Sequence, residues 1–333
     1  MNVALETSYL GLKLRNPIIS GASPLGENLG TLRRLEDLGV GAVVLHSLFE
    51  EQYTLEQAAA EAHTEAHMMA SPEASGYFPQ ADDYILKPDS YFEHVRAAKA
   101  ALGIPVIASL NGITTGGWLD YAADIQSAGA DALELNVYRV PADDRVSGAE
   151  IEQELIDLVL AMRSRLKIPL TVKLSPFYTS LPHVVRRLSE CAADGIVLFN
   201  RFYQPDLDIV NQEVVPRVQL STPSALLLRL RWLALLYGRY PLALTLSGGI
   251  HKSEDIIKAV MAGADAVQTV SYLLRHGIDA LPVLLEDLEQ WMEEQEIESL
   301  SAIRGSLSLK NSPDPSSFER AHYMRVLQGW KLD

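Results

Sequence analysis

The sequence predicts an α/β fold, a closed (β/α)8 TIM barrel with long insertions at the C-terminal face of its strands. Three observations predict it. Short apolar runs rich in β-branched residues alternate with segments of helical periodicity, which is how a parallel sheet with crossover helices is written in a chain. The runs number eight, enough to close a barrel. A punctuation phrase recurs as "AGADALELN", "AADGIVLFN" and "AGADAVQTV", in which a helix ends near Gly, an acidic residue caps the turn and a buried strand starts.

Taken in order, the strands are "NPIIS" ending at Ser20, "GAVVLHS" at Ser47, "PVIASLN" at Asn111, "ALELN" at Asn136 and "LTVKL" around Lys173. "GIVLFN" at Asn200, "LALTLSGG" at Gly249 and "AVQTVS" at Ser271 complete the set. Each is a short apolar run bounded by Gly, Pro or polar residues, as strands buried on both faces are. Between them "LGTLRRLEDLG", "YFEHVRAAKAALG", "WLDYAADIQSAGA", "IEQELIDLVLAMRSRL", "LPHVVRRLSECAADG", "PSALLLRLRWLALLYG" and "SEDIIKAVMAGA" are apolar at helical spacing and polar between. Two connections are too long for turns. Residues 48–90 and 201–222 both follow strand C-terminal ends, where they are expected to build a rim or lid.

Composition narrows the function. A length of 333 residues suits one barrel, assigned to residues 1–305, with residues 306–333 as a C-terminal tail carrying a short helix from Ser316 to Leu327. With 48% hydrophobic and 21% charged residues the chain is an ordinary globular protein. A formal charge of -15 repels polyanions, which argues against nucleic acid or an anionic membrane as partner. The single cysteine, Cys191, leaves no disulfide and no cysteine-held iron–sulfur cluster within the chain. The first residues, "MNVALETSYLGLKLRNPIIS", lack a basic region followed by an apolar core, so a cytoplasmic protein is expected. "SALLLRLRWLALLYG" is too short to span a bilayer and carries Arg229 and Arg231, so it reads as a buried helix.

The functional signal sits at the strand ends. In "TLSGGIHKSEDIIKAVMAGADAVQTVSYLL", Gly248 and Gly249 let the main chain approach an anion without Cβ contacts, and the helix starting near Ser253 adds its positive dipole end. Val270 and Ser271 open the next helix. Polar residues close nearly every other strand: Ser20 and Ser23, His46 and Ser47, Ser109 and Asn111, Asn136, Lys173, and Asn200. Such a ring is costly at a barrel mouth unless a ligand satisfies it. Its amides and hydroxyls suit a flat heterocycle with carbonyls and ring nitrogens, and Lys173 suits negative charge on a reduced ring. His63 and His67, with Glu61 and Glu65 beside them, have a spacing that can hold a metal, but no motif completes that site and an exposed amphipathic helix explains it.

"LGLKLRNPIISGAS", "IPVIASLNG", "GADALELNVY", "PLTVKLSPF", "GIVLFNRF" and the Gly248–Gly249 segment resemble, in order and spacing, the FMN-dependent dihydroorotate dehydrogenase family, notably its class 1 branch and the dihydroorotate dehydrogenase-like proteins. The resemblance covers roughly residues 5 to 300. It implies FMN at the C-terminal mouth, with Ala22, Ser23 and Ser47 along the isoalloxazine ring and Asn111 and Asn136 near its polar edge. Lys173 would lie near the electron-rich end, Asn200 near flavin and substrate, and Gly248, Gly249, Val270 and Ser271 at the phosphate. It further implies oxidation of a CH–CH bond, dihydroorotate to orotate, in pyrimidine biosynthesis, and a homodimer.

Where class 1 enzymes carry "N-x-S-C-P-N", this chain reads "NVYRVP". Asn136 is kept, while Arg139 stands at the position of the cysteine base and Pro141 at that of the second Asn. Arginine stays protonated, so Arg139 is suited to a substrate carboxylate and not to proton abstraction. The family's "TKS" is here "LHS", with His46 in place of lysine, and the glycine pair expected before the seventh strand is not apparent in "VQLSTPSA". The base is then sought among His46, Tyr138 and Tyr203, with His46 closest to neutrality. A dihydropyrimidine dehydrogenase-like reductase subunit and a non-redox barrel binding FMN or another phosphate remain as alternatives. The first needs a partner carrying NAD(P)H and clusters, since this chain has no "GxGxxG".

Overall fold

The computed structural model describes residues 3–49, 88–112, 118–202, 204–216, 218–318 and 320–329. An antiparallel hairpin of β1 (Thr7–Tyr9) and β2 (Leu12–Leu14) precedes the barrel. Leu10 and Gly11 at its turn both have positive φ, 53° and 76°, the pair of left-handed residues that a tight hairpin turn uses. Tyr9, Leu10 and Leu14 pack on Ile19, Val44, Ile107, Ala132 and Ala266, inward residues of the barrel strands, so the hairpin plugs the N-terminal end.

The barrel contains β3 (Ile18–Ser20), β4 (Ala42–Phe49), β5 (Val106–Asn111), β6 (Ala132–Asn136), β7 (Leu170–Leu174) and β8 (Gly195–Leu198). A rim hairpin of β9 (Asp206–Asp208) and β10 (Glu213–Val215) follows, and β11 (Ala243–Ser247) and β12 (Ala266–Thr269) complete the barrel. All eight predicted strands are present and parallel, and β12 closes onto β3 through Val267 and Ile18. Between them run α1 (Leu29–Asp37), α2 (Pro88–Ala101), α3 (Trp118–Ser127), α4 (Gly148–Arg165), α5 (Leu181–Glu190), α6 (Leu226–Leu236) and α7 (Ser253–Ala262). After β12 come α8 (Ser271–His276), α9 (Leu281–Glu294), α10 (Leu300–Ile303) and α11 (Arg320–Gly329). The helices start where the sequence supplies caps: Asn28 accepts from the Thr31 amide at 3.0 Å, and Ser147 with Glu150 forms a capping box on α4.

Parity along the strands sorts the core. On β6, Leu133 and Leu135 face the helices while Ala132, Glu134 and Asn136 alternate with them toward the barrel axis. The recurring acidic residue does more than cap a turn. Asp131, Asp194 and Asp265 each accept an amide from the start of the preceding parallel strand, from Val106, Leu170 and Leu244 at 2.7, 2.8 and 2.8 Å. A cation backs each carboxylate: Lys99, Arg163 and Arg304. The punctuation phrase therefore fixes neighbouring strands to one another.

The start of the expected tail is tied to the barrel helices. The amides of Leu307 and Leu309 donate to the carbonyls of Met261 and Ala234, both at 2.9 Å, and the predicted tail helix appears as α11 after a short 3-10 turn. Among the described residues no helix is long and apolar enough to cross a membrane, and no group of three His, Cys, Asp or Glu side chains is arranged for a metal. His63, His67, Glu61 and Glu65 lie outside the described residues.

Candidate active site

The site rises from a charged floor. Glu134, fully buried on β6, holds Lys173 of β7 at 3.1 Å, and the same ammonium donates to Gln268 Oε1 of β12 at 3.0 Å. Gln268 closes the triangle by donating from Nε2 to the other Glu134 oxygen. Each charge is thus buried with a partner and with hydrogen bonds, the condition under which a buried ion pair is tolerated.

Above this floor the strand ends open into a cavity of about 410 Å3. That volume falls in the range of roughly 300–1,000 Å3 in which small-molecule sites occur. Larger clefts of about 820 and 770 Å3 lie elsewhere, one under α11 and one beside the plugging hairpin, and neither meets the strand ends that carry the polar ring. The mouth cavity is lined by Ala22 and Ser23 after β3, by Ser47 of β4 and by Asn111 of β5. Asn136, Lys173 and Asn200 continue the ring, and Gly248, Val270 and Ser271 close it. Of the residues singled out for a cofactor, only Gly249 is not part of the lining. Two of the polar groups are buried with no hydrogen-bond partner among the described residues, Ser23 Oγ and Asn136 Oδ1. Buried polar atoms are nearly always satisfied, so these two point to a ligand that satisfies them.

On one side the wall is preset. Gly248 and Gly249 both have φ of +90°, and a Cβ on Gly249 would stand 2.6 Å from the amide nitrogen of Leu226. The Gly249 amide donates to Ser221 Oγ at 3.1 Å, and both the amide and the hydroxyl of Ser221 donate to Ser271 Oγ at 2.9 Å. This leaves the Ser271 hydroxyl proton for a ligand. Expectation and structure part at the helix that follows. The amides of His251 and Lys252, before α7, are taken by the Asp255 carboxylate, so the positive end of α7 is already neutralised from within.

His46 is the main correction. Strand parity alone would aim it into the mouth, but β4 bulges: Val44 pairs with Ile107 and Ser47 with Ser109, so three steps on β4 match two on β5. Ser47 takes the inward place, its hydroxyl 2.8 Å from that of Ser109, and His46 is turned away from the cavity. Its ring is buried edge-on to Tyr91, with centroids 5.1 Å apart, and its Nδ1 lies 3.4 Å from the Gly26 carbonyl. Burial lowers its pKa, and nearby His94 acts in the same direction.

Arg139 is also elsewhere. It pairs with Glu154 and lines a small separate cleft with Pro141, Phe177 and Tyr178. Tyr138 does line the mouth, its ring 5.5 Å from Phe202, which in turn meets Phe177 edge-on at 4.5 Å. Tyr203 lies outside the described residues. Sequence reasoning assigned no part of the mouth to Glu134, Gln268, Arg201, Ser221 or Arg229. For Glu134 and Gln268 a signal existed, a polar residue at inward parity in a buried strand, and for Arg229 it was a charge inside the most apolar helix.

The chain matches the family model described as dihydroorotate dehydrogenase over residues 4–292. Among curated proteins it is similar to the dihydroorotate dehydrogenase B (NAD(+)) catalytic subunits of Shouchella clausii and Thermoplasma acidophilum. The first is 24% identical over 90% of this chain and 97% of the relative, the second 26% identical over 90% and 98%. The subunit of the same name from Methanocella arvoryzae is 29% identical over 78% of this chain and 83% of its own.

Proposed function

The chain belongs to the dihydroorotate dehydrogenase family, and from that premise we propose that it is an FMN-dependent oxidoreductase acting on a CH–CH bond of a small carbonyl-bearing ring. Dihydroorotate, the reactant for which its relatives are named, is the first candidate, with pyrimidine biosynthesis as context. The observation that carries the reading is one cavity lined by nearly the whole cofactor set, in which Asn136 Oδ1 and Ser23 Oγ are buried without partners. FMN supplies a hydride acceptor, which no side chain here provides.

The chain's own residues bind and orient. Asn111 and Asn136 offer amides to the polar edge of the ring, while Ala22, Ser23 and Ser47 lie along it. The Lys173 ammonium favours negative charge above the floor, as a preorganised buried cation does. Gly248, Val270 and Ser271 would receive the phosphate, with Gly249, whose amide is taken by Ser221 Oγ, shaping the turn behind them, and Asn200 would stand near cofactor and substrate. Loss of a hydride from one carbon requires loss of a proton from its neighbour, the freed pair forming the new double bond. Tyr138 is assigned that proton, accepted by its phenolate form, which the step requires, since it lines the mouth and His46 does not. Arg201, beside Asn200 on the cavity wall, is assigned a substrate carboxylate in place of Arg139.

The test is an absorption spectrum recorded anaerobically before and after dihydroorotate is added. A flavin band that bleaches supports the reaction, and Tyr138→Phe should keep the band but slow the bleaching by about 10²-fold, the lower range for a lost general base. A band that stays leaves FMN standing and removes dihydroorotate. No flavin bound even after FMN is added removes the reading.

A further inference from the structure

Among the described residues, Arg229 is the one cation of the mouth that neither the family motifs nor the floor network accounts for. It lies on α6, is only 6% exposed, and lines the cavity together with Ser247, Gly248 and Ser271. Its Nε donates to the Ser247 carbonyl and its Nη1 to the Ala225 carbonyl at 2.7 Å. Its Nη2 has no hydrogen bond among the described residues. That atom lies 3.1 Å from where a Cβ of Gly248 would stand, so the guanidinium is directly under the glycine turn. The ring of Phe199 walls it in, 6.0 Å from the guanidinium carbon.

The charge has no acidic counterpart. Most buried or half-buried cations elsewhere meet a carboxylate, as Lys173 meets Glu134, Lys99 meets Asp131 and Arg163 meets Asp194, while half-buried Arg187 bonds Gln153 Oε1. Among the described residues no carboxylate pairs with Arg229, and the described lining of the cavity includes no Asp or Glu. Burial first, and the charge of Arg201 second, pull its guanidinium down to about 10, so it stays a cation at neutral pH. A buried cation held only by carbonyls is expensive, and an anion brought beside it offsets that cost. The mouth of a protein of net charge -15 thus holds two arginines with no described acid between them.

We propose that Arg229 is an anion anchor beneath the Gly248–Gly249 turn, which binds the phosphate of the cofactor with its guanidinium in addition to the backbone amides. The identification of that anion as FMN phosphate rests on the proposed flavin reading; the anchor itself rests on the buried unpaired charge. It also explains the demand for Gly248, since any side chain there would meet the guanidinium.

Equilibrium binding of FMN and of riboflavin, which lacks the phosphate, to flavin-depleted protein separates an anchor from a merely structural arginine. Wild type should prefer FMN strongly. Arg229→Met should weaken FMN by about 10- to 100-fold, the range for losing a hydrogen bond to a charged group, while riboflavin binding stays as in wild type. Should the methionine variant not fold, Arg229→Lys carries the same comparison, with a smaller loss confined to FMN. Equal losses for both flavins, or no loss for FMN, would overturn the anchor while leaving the flavin reading intact. If wild type binds neither flavin, that reading fails on its own and inorganic phosphate becomes the probe. A rise in melting temperature with phosphate in wild type but not in Arg229→Met keeps the anchor, and no rise in wild type removes it.

Discussion

The half of the mouth built by β8, β11, β12 and α6 is gripped by backbone and fixed in advance; the half built by β4, β5 and β6 is gripped by side chains. On the first side two glycines at φ +90°, the Ser221–Ser271 hydroxyl pair and Arg229 on two carbonyls leave little freedom. On the second, Asn136 Oδ1 has no partner, Tyr138 leans on the aromatic rings of Phe202 and Phe177, and Arg139 has turned away to Glu154. Where backbone makes the contact, only a few residue types fit and the pattern in the chain is kept. Where side chains on loops make it, residue types can change without disturbing the barrel. That is why the Gly248–Gly249 segment resembles its family closely while "NVYRVP" departs from it.

The floor beneath both halves gives the largest test. Lys173→Met would leave the carboxylate of Glu134 fully buried with Gln268 as its only hydrogen-bonding partner among the described residues. Breaking a buried pair from one side costs roughly 3–5 kcal/mol, whereas replacing both members is often neutral. The single variant should therefore melt far earlier and lose flavin reduction. The double variant Lys173→Met with Glu134→Gln should regain most of the stability and none of the reduction. Equal melting of wild type and the single variant would mean the two halves do not share this floor, and the comparison as drawn breaks.

A smaller effect belongs to the preset half alone. Gly249→Ala places a Cβ 2.6 Å from the Leu226 amide at a φ that non-glycine residues avoid, a cost of roughly 1–3 kcal/mol before any contact is counted. α6 must shift, and bound flavin per protein should fall several-fold. Pro141→Ala, in the separate cleft beyond the side-chain half, should change neither melting temperature nor flavin content. Flavin loss in both variants would erase the contrast; loss in Gly249→Ala alone sharpens it.

What the chain revealed in advance follows the same division. Eight strands, their order and the helices between them were legible because parity and punctuation repeat along the sequence, and the Asp131, Asp194 and Asp265 contacts show that the punctuation is itself structural. The polar lining of the mouth was legible because most of its groups close a strand or stand just after one. The bulge that turns His46 aside was not, since it is one extra residue in an otherwise regular run and appears only once β4 is paired with β5. Nor was the self-capping of α7 by Asp255, or the reach of Arg229 across to the Ser247 carbonyl, both contacts set by tertiary packing.

His46 should give the smallest effect. Its imidazole is held below its ordinary value by burial first and by the charge of His94 as a lesser cause, while the Gly26 carbonyl and Glu27 pull the other way. The unfolded chain therefore binds a proton at a pH where the folded one does not. Stability then rises with pH from the folded pKa up to about 6.5 and falls as acid is added through that window. The buried Nε2, which has no partner in the neutral ring, would also need an acceptor once protonated. His46→Gln keeps a donor for the Gly26 carbonyl and removes the titration. Its melting temperature should match wild type above about pH 7 and fall less steeply below about 6.5. Its flavin reduction should stay within about twofold, against the roughly 10²–10⁴-fold that loss of a general base costs. A loss of that larger size would put His46 in contact with the reaction despite the bulge, and the side-chain half of the mouth would have to be redrawn around it.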